Sequence, residues 1–129
     1  MEKYWQRPSK KAILNIEIRS EGGQRFLREL RTALDSMKDK ELISRLFERD
    51  SYVCAIGCIC KAKSINPNNG INRLRALFNV SCSLLSEIVT RNDDLCDFLT
   101  LGFLTSQHIR EVRWRRVRDW VESRITKNE

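Results

Sequence analysis

Hydrophobic residues recur at helical spacing along most of this sequence. Over 24–37 they fall on one face with charged residues interleaved, which is typical of an amphipathic helix with one buried side. The segment 52–62 is apolar on nearly every side, so we predict a central buried helix with Asp50 or Ser51 as its N-cap. Residues 12–19 fit both an alternating strand and a helix. Because the sequence offers no second clear strand to pair with, we favour a helix.

Turn signals separate the remaining helical segments. The pair Gly22-Gly23 predicts a chain break before the amphipathic helix, and 66–70 is the strongest turn signal in the chain. Further helices are predicted at about 42–47, 71–78, 82–91, 95–104 and 106–125. We therefore predict an all-α protein, a compact bundle of about six or seven helices.

Within this bundle, the segment 71–89 resembles a helix-turn-helix, in which apolar side chains at fixed offsets let two helices pack across a tight turn. The apolar positions of that motif are occupied by Leu74, Phe78, Val80, Leu85 and Ile88. Asn79 stands where the turn usually has glycine, and asparagine tolerates the left-handed conformation. Arg75 departs from the motif, which favours a small residue there. The alternative is an ordinary helical hairpin, whose packing needs much the same spacing.

The second helix of this hairpin would present short hydroxyl side chains on its outward face. Hydroxyl groups contact base edges and phosphates, whereas Glu87 on the same face would repel a phosphate backbone. We take Ser81 as the N-cap of this helix and as a candidate contact. The candidate DNA-binding residues in this segment are Ser81, Ser83, Ser86, Thr90 and Arg91.

Length and charge narrow the class of partner. At 129 residues and 15.2 kDa the chain is sized for a single domain. Its 24 Lys and Arg against 17 Asp and Glu give a net charge of +7, which favours a polyanion such as nucleic acid. Residues 1–11 carry four basic residues against one acidic residue and are predicted to form a loose basic arm, with 12–129 as the domain. No stretch approaches the roughly 20 apolar residues that cross a bilayer, so no membrane partner is predicted.

Arginines and tryptophans alternate in RWRRVRDW, residues 113–120. This combination suits phosphate contact and base stacking, which makes these arginines candidate DNA contacts: Arg113, Arg115, Arg116 and Arg118. It suits a protein interface equally, with Trp114, Trp120 and Arg116 as hot spots. A third interpretation is a packed amphipathic helix, because both tryptophans share an apolar arc with Val117 and Val121.

Catalytic and metal chemistry finds little support in the sequence. Cys54 and Cys58 fall inside the predicted buried helix, where cysteine is a common core residue. His108 is the only histidine, and no phosphate-binding loop or nucleophile motif is present. An odd count of five cysteines, without a secretory signal, favours reduced thiols and a cytoplasmic location. We predict a non-enzymatic protein with no catalytic residues, metal or cofactor.

Four segments stand out together: GGQRFLRELRTALD at 22–35, CAIGCICKAKSIN at 54–66, SEIVTRND at 86–93 and RWRRVRDWV at 113–121. Their order and spacing resemble a group of small uncharacterised all-helical proteins encoded by bacterial phages and prophages. In that group a Cys-Ala-x-Gly helix precedes an Asn-Asp corner and a terminal Arg-Trp-Arg-Arg helix. The resemblance implies a phage accessory role in the bacterial host cell and assigns no catalytic residues.

Together these features predict a protein that binds a macromolecule. The first hypothesis is DNA, bound through 71–91 with support from the basic arm and the C-terminal arginines. The alternative is a host or phage protein, bound through the Trp- and Arg-rich last helix. A homodimer would favour the DNA hypothesis, because paired half-sites need paired recognition helices.

Overall fold

The computed structural model describes residues 9–44, 48–49, 51–94 and 105–126. Within these ranges the chain is mostly helical, which confirms the predicted all-α class. The helices are α1 (Lys10–Arg19), α2 (Glu21–Asp35), α3 (Ala55–Ala62), α4 (Ile71–Phe78), α5 (Cys82–Asp93) and α6 (Ser106–Arg124). A 3₁₀ turn over Pro67–Asn69 lies at the predicted 66–70 turn. The predicted 95–104 helix, and residues 1–8 of the predicted arm, lie outside the described residues.

Helices α1 and α2 are separated by a single residue, Ser20. Its hydroxyl donates to the carbonyl of Glu17 (2.7 Å) and accepts from the backbone N–H of Gly23 (3.0 Å), so one side chain ends α1 and caps α2. Gly22 and Gly23 therefore lie in the first turn of α2, and the predicted break at this pair is wrong. A Cβ at Gly23 would overlap the carbonyl oxygen of Glu17, because the two helices approach closely there. The 12–19 helix is confirmed and begins at Lys10.

The segment before α3 is not the helix predicted at 42–47. Residues 41–44 are non-helical, and 45–47 lie outside the described ranges. The N–H of Leu42 donates to the carbonyl of Arg110 (3.0 Å) and that of Ile43 to Val53 (3.0 Å), so distant segments satisfy this backbone. Two short antiparallel strands follow, β1 (Glu48–Arg49) and β2 (Tyr52–Val53).

Helix α3 lies at the centre of the fold, and every residue from 53 to 60 is buried. The predicted central helix is thus confirmed, but it begins later than predicted because Tyr52 and Val53 belong to β2. Its N-cap is Cys54, whose Sγ accepts from the N–H of Gly57 at 3.3 Å, and not Asp50 or Ser51. α2 packs against α3 and α6, while α5 packs against α1, α3, α4 and α6. No helix in the described ranges is long and apolar enough to cross a membrane.

Candidate nucleic-acid interface

The turn and the helix cap of the α4–α5 hairpin form as the sequence predicts. Asn79 adopts the left-handed conformation (φ 55°, ψ 50°) between the two helices. The Ser81 hydroxyl accepts from the N–H of Leu84 (3.1 Å) and caps α5. Four of the five apolar motif positions are buried and the fifth, Val80, is partly buried against the core. Arg75, the departure from the motif, is exposed and lines a cavity of about 390 Å³ beside Ser81.

The outward face of α5 is open to solvent. Ser83, Ser86 and Thr90 are exposed and, at positions i, i+3 and i+7, lie along one side of the helix. α1 runs beside this face, and the two helices border a groove of about 600 Å³. We call this feature the α1–α5 groove; its polar lining includes Ser83, Ser86, Glu87, Thr90, Cys82 and Asn15.

Basic side chains outnumber acidic ones in the lining of the α1–α5 groove, which also includes the apolar side chains Ile13, Leu14 and Ile18. Its basic side chains are Lys10, Lys11, Arg91 and Arg124. Among the described lining residues, Glu87 is the one carboxylate, and it accepts from Nε of Arg91 at 2.7 Å. The repulsion of phosphate predicted for Glu87 is therefore partly offset by its own ion pair. Sequence analysis assigned Lys10 and Lys11 to a loose arm and did not select Arg124, although Arg124 follows Trp120 by one helical turn.

Arg113 is wrongly assigned as a DNA contact, because its side chain is buried and only 4% exposed. Its Nε donates to the carbonyl of Asn92 (2.8 Å) and its Nη1 to the carbonyl of Leu42 (3.1 Å). Burial lowers the pKa of the Arg113 guanidinium. This arginine therefore acts inside the fold, where it joins α6 to the end of α5 and to the segment before β1.

Asn92 completes this buried arrangement and is 1% exposed. Its Oδ1 accepts from the N–H of Ala55 (2.9 Å) at the start of α3, and its Nδ2 donates to the carbonyl of Ile43 (2.9 Å). We call Asn92 and Arg113 the Asn92–Arg113 clamp. Its hydrogen bonds join the Cys-Ala-x-Gly helix, the Asn-Asp corner and the Arg-Trp-Arg-Arg helix to one another. The proximity of these three motifs therefore has a structural explanation. The signal in the sequence was that Asn92 follows Ile88 at i+4 on the apolar stripe of α5.

The other arginines of the 113–120 run, Arg115, Arg116 and Arg118, are not among the described residues that line the α1–α5 groove. Arg118 donates to both carboxylate oxygens of Asp35 (2.9 and 2.8 Å) and to Glu122 (2.8 Å). The hydrogen bond from Arg118 lowers the pKa of Asp35, and the same hydrogen bond raises the pKa of Arg118. Arg118 is thus held by carboxylates, while Arg115 and Arg116 are exposed on the surface of α6.

Both tryptophans of α6 pack against the core and are half-buried, as the packed-helix interpretation predicts. The Nε1–H of Trp114 donates to the carbonyl of Leu34 at 3.1 Å. Trp120 lines the α1–α5 groove, and the guanidinium carbons of Arg91 and Arg124 lie 5.4 and 5.7 Å from its ring centroid. Both indole rings of α6 are thus partly used within the chain.

The buried cysteines are poorly suited to reaction or metal binding. Burial raises the pKa of Cys58 to about 12 and that of Cys60 to about 11, so the thiolate is rare at neutral pH. In the part of the chain that the structure describes, no group of three His, Cys, Asp or Glu side chains could hold a metal ion. No protein-family model, curated protein or solved structure matches this chain, so its function is argued from geometry and charge.

Proposed function

We propose that the protein binds duplex DNA through α5 and the α1–α5 groove. The observation that carries this proposal is that the open hydroxyl face of α5 shares one groove with four cationic side chains. Hydroxyl groups suit base edges and phosphates, and lysine and arginine supply the counterion-releasing contacts that dominate affinity for DNA. The excess of basic over acidic side chains in this groove suits a polyanion better than an acidic partner.

In this proposal α5 serves as the recognition helix and enters the major groove. Ser83 and Ser86, near its N-terminal end, would meet base edges. Lys10 and Lys11, at the start of α1, would contact phosphates beside that groove. α4 adds the exposed Arg73 and Arg75, because the first helix of such a hairpin crosses the DNA backbone. With hydroxyls as its base contacts, binding is expected to depend mainly on phosphate charge.

A role as a phage accessory factor, and pairing of two copies on a palindromic site, remain predictions of the sequence. A two-fold dimer would place two α5 helices about one turn of DNA apart. The alternative partner, a host or phage protein, would need the Trp- and Arg-rich face of α6. Trp114 already uses its N–H within the chain, which favours DNA over this alternative.

The test compares two double variants that remove the same amount of charge. K10A/K11A removes two cations of the α1–α5 groove, whereas K38A/K61A removes two exposed lysines that line a different cavity. Binding of a fluorescent duplex is followed by anisotropy over a range of salt concentrations. The log–log slope of affinity against salt becomes about 0.9 shallower for each phosphate group that the protein no longer neutralises. We therefore expect K10A/K11A to weaken binding at least about tenfold, with a slope about 1.8 shallower.

The control variant K38A/K61A should bind within about twofold of the parent and keep its salt slope. Equal weakening in both variants would mean that net charge alone drives binding, which overturns the assignment of the α1–α5 groove. Absence of any anisotropy change at low salt, for the parent protein with unrelated duplexes, would overturn DNA binding itself.

A further inference from the structure

The indole N–H of Trp120 is buried without a hydrogen-bond acceptor among the described residues. A buried donor without an acceptor is unfavourable, and folded proteins rarely retain one without a reason. Trp114, six residues earlier on α6, donates its equivalent N–H to the carbonyl of Leu34. Among the described residues, Trp120 is therefore the tryptophan of α6 whose donor is unused.

The side chains around Trp120 supply further donors. Arg91 and Arg124 lie over its ring, and a guanidinium group has no acceptor lone pair, so neither can satisfy the indole N–H. Trp120, Arg91 and Arg124 all line the α1–α5 groove, beside the hydroxyl of Thr90. We call these three residues the Trp120 end of the groove. Its donors, contributed by α5 and α6, are suited to an anionic oxygen ligand.

We infer that the Trp120 end of the groove binds one phosphate group, with the indole N–H and the two guanidinium groups as its donors. This inference rests on the proposed function and names one of its phosphate contacts. Guanidinium groups favour phosphate because their N–H donors match its oxygens in pairs. Both arginines are exposed and carry long flexible side chains, whereas the indole nitrogen itself is covered, so binding requires side chains around Trp120 to move. Because Glu87 occupies Nε of Arg91, the phosphate would bind the Nη groups at the other edge of that guanidinium.

Trp120→Phe tests the inference because it keeps an aromatic ring for packing and removes the N–H. Removing one hydrogen bond to a charged oxygen should weaken duplex binding about tenfold. The thermal midpoint of the free protein should stay unchanged or rise, because an unpaired buried donor has been removed. Weaker binding without a loss of stability is a combination that a purely structural role of Trp120 would not produce.

Trp114→Phe is the matched control, since it deletes an indole N–H that already has its acceptor. It should lower the thermal midpoint, because the carbonyl of Leu34 loses one of its donors and keeps the N–H of Met37, and it should leave duplex affinity within about twofold. A Trp120→Phe variant with unchanged affinity would overturn the phosphate site. If K10A/K11A still weakens binding in that case, the proposed function stands without it.

The indole N–H resonances give a direct measurement, and the two tryptophan variants assign them. On titration with duplex, the Trp120 resonance should move while that of Trp114 stays in place. Inorganic phosphate is the second probe: a shift with both probes indicates a general phosphate site, and a shift with duplex alone indicates a phosphate within DNA. A shift with inorganic phosphate alone would support the phosphate site and show that duplex DNA does not occupy it. No shift of Trp120 with either probe overturns the inference.

Discussion

The Asn92–Arg113 clamp and the α1–α5 groove are both polar, but they differ in how their polar groups are satisfied. In the clamp, Arg113 donates to two backbone carbonyls, and the Asn92 side chain bonds to two backbone groups. In the groove, four cations face one carboxylate, and the Trp120 N–H has no acceptor in the described part of the chain. Polar groups that find partners within the chain indicate a structural role, while those that lack them indicate a ligand.

The largest effect that separates the two regions should come from the clamp. Arg113→Ala leaves two buried carbonyls without a donor, so we expect the free energy of unfolding to fall by about 3 kcal/mol. Urea unfolding followed by circular dichroism measures this change. Arg113→Lys should recover only part of it, because one ammonium group lacks the planar geometry that reaches two carbonyls.

Arg115→Ala is the control for the clamp, since Arg115 is exposed on the same helix. Its effect on the free energy of unfolding should stay within about 0.5 kcal/mol. At a temperature where both variants are folded, Arg113→Ala should bind duplex as the parent does. If Arg113→Ala weakened duplex binding and left stability unchanged, Arg113 would be a DNA contact and the structural role of the clamp would be wrong.

The clamp also shows where the sequence was a poor guide. An arginine in an Arg-rich run favours an exposed position on average, and nothing in its local spacing indicates that two carbonyls from distant segments meet it. The predicted helix at 42–47 fails for the same reason, because the N–H of Leu42 is satisfied by Arg110, which lies far away in sequence. The hydrophobic pattern of a local segment does not indicate which distant residues will form hydrogen bonds with it.

Only some of the residues that line the α1–α5 groove could be predicted from the sequence. Ser83, Ser86 and Thr90 could be grouped because helical spacing alone places them on one face. The packing of α1 beside that face depends on the close approach of α1 and α2 at Gly23, which no periodicity reveals. Lys10 and Lys11 therefore join the groove only through tertiary packing. The turn at Asn79 was predictable because its conformation depends on one residue type.

A smaller effect, on thiol chemistry, would sharpen the contrast between core and groove. Cys82 is half-buried and lines the α1–α5 groove, whereas Cys54, Cys58 and Cys60 are buried and their pKa values are raised by burial. The fifth cysteine, Cys96, lies outside the described residues and is replaced by serine for this test. Alkylation of the folded Cys96→Ser protein at neutral pH should therefore modify Cys82 first. Saturating duplex should slow this modification about fivefold or more, because bound DNA covers the groove.

Mass spectrometry of the alkylated peptides identifies the thiol and its rate. The K10A/K11A variant is the control, because at a duplex concentration that only just protects the parent its weaker binding should leave Cys82 less protected. Modification of Cys82 at an unchanged rate in saturating duplex would show that DNA binds elsewhere, and would break the link between α5 and the ligand.

The smallest effect on stability is expected at Asp35. Like the clamp residues it has a partner within the chain, Arg118, but this ion pair lies at the surface. Its carboxylate is 44% exposed, so Asp35→Asn should lower the free energy of unfolding by less than about 1 kcal/mol at pH 7. Because Arg118 lowers the pKa of Asp35 from its ordinary 3.8, the stabilisation is complete above that pH and is lost as pH falls through the lowered value. Urea unfolding at pH 7 and near pH 2 measures the difference, which should also shrink in high salt. A large effect at pH 7 that persists in high salt would mean that an exposed ion pair stabilises the fold as much as the buried hydrogen bonds of the clamp do. Having a partner within the chain, whether buried or exposed, would then be what distinguishes structural groups from ligand-binding groups in this protein.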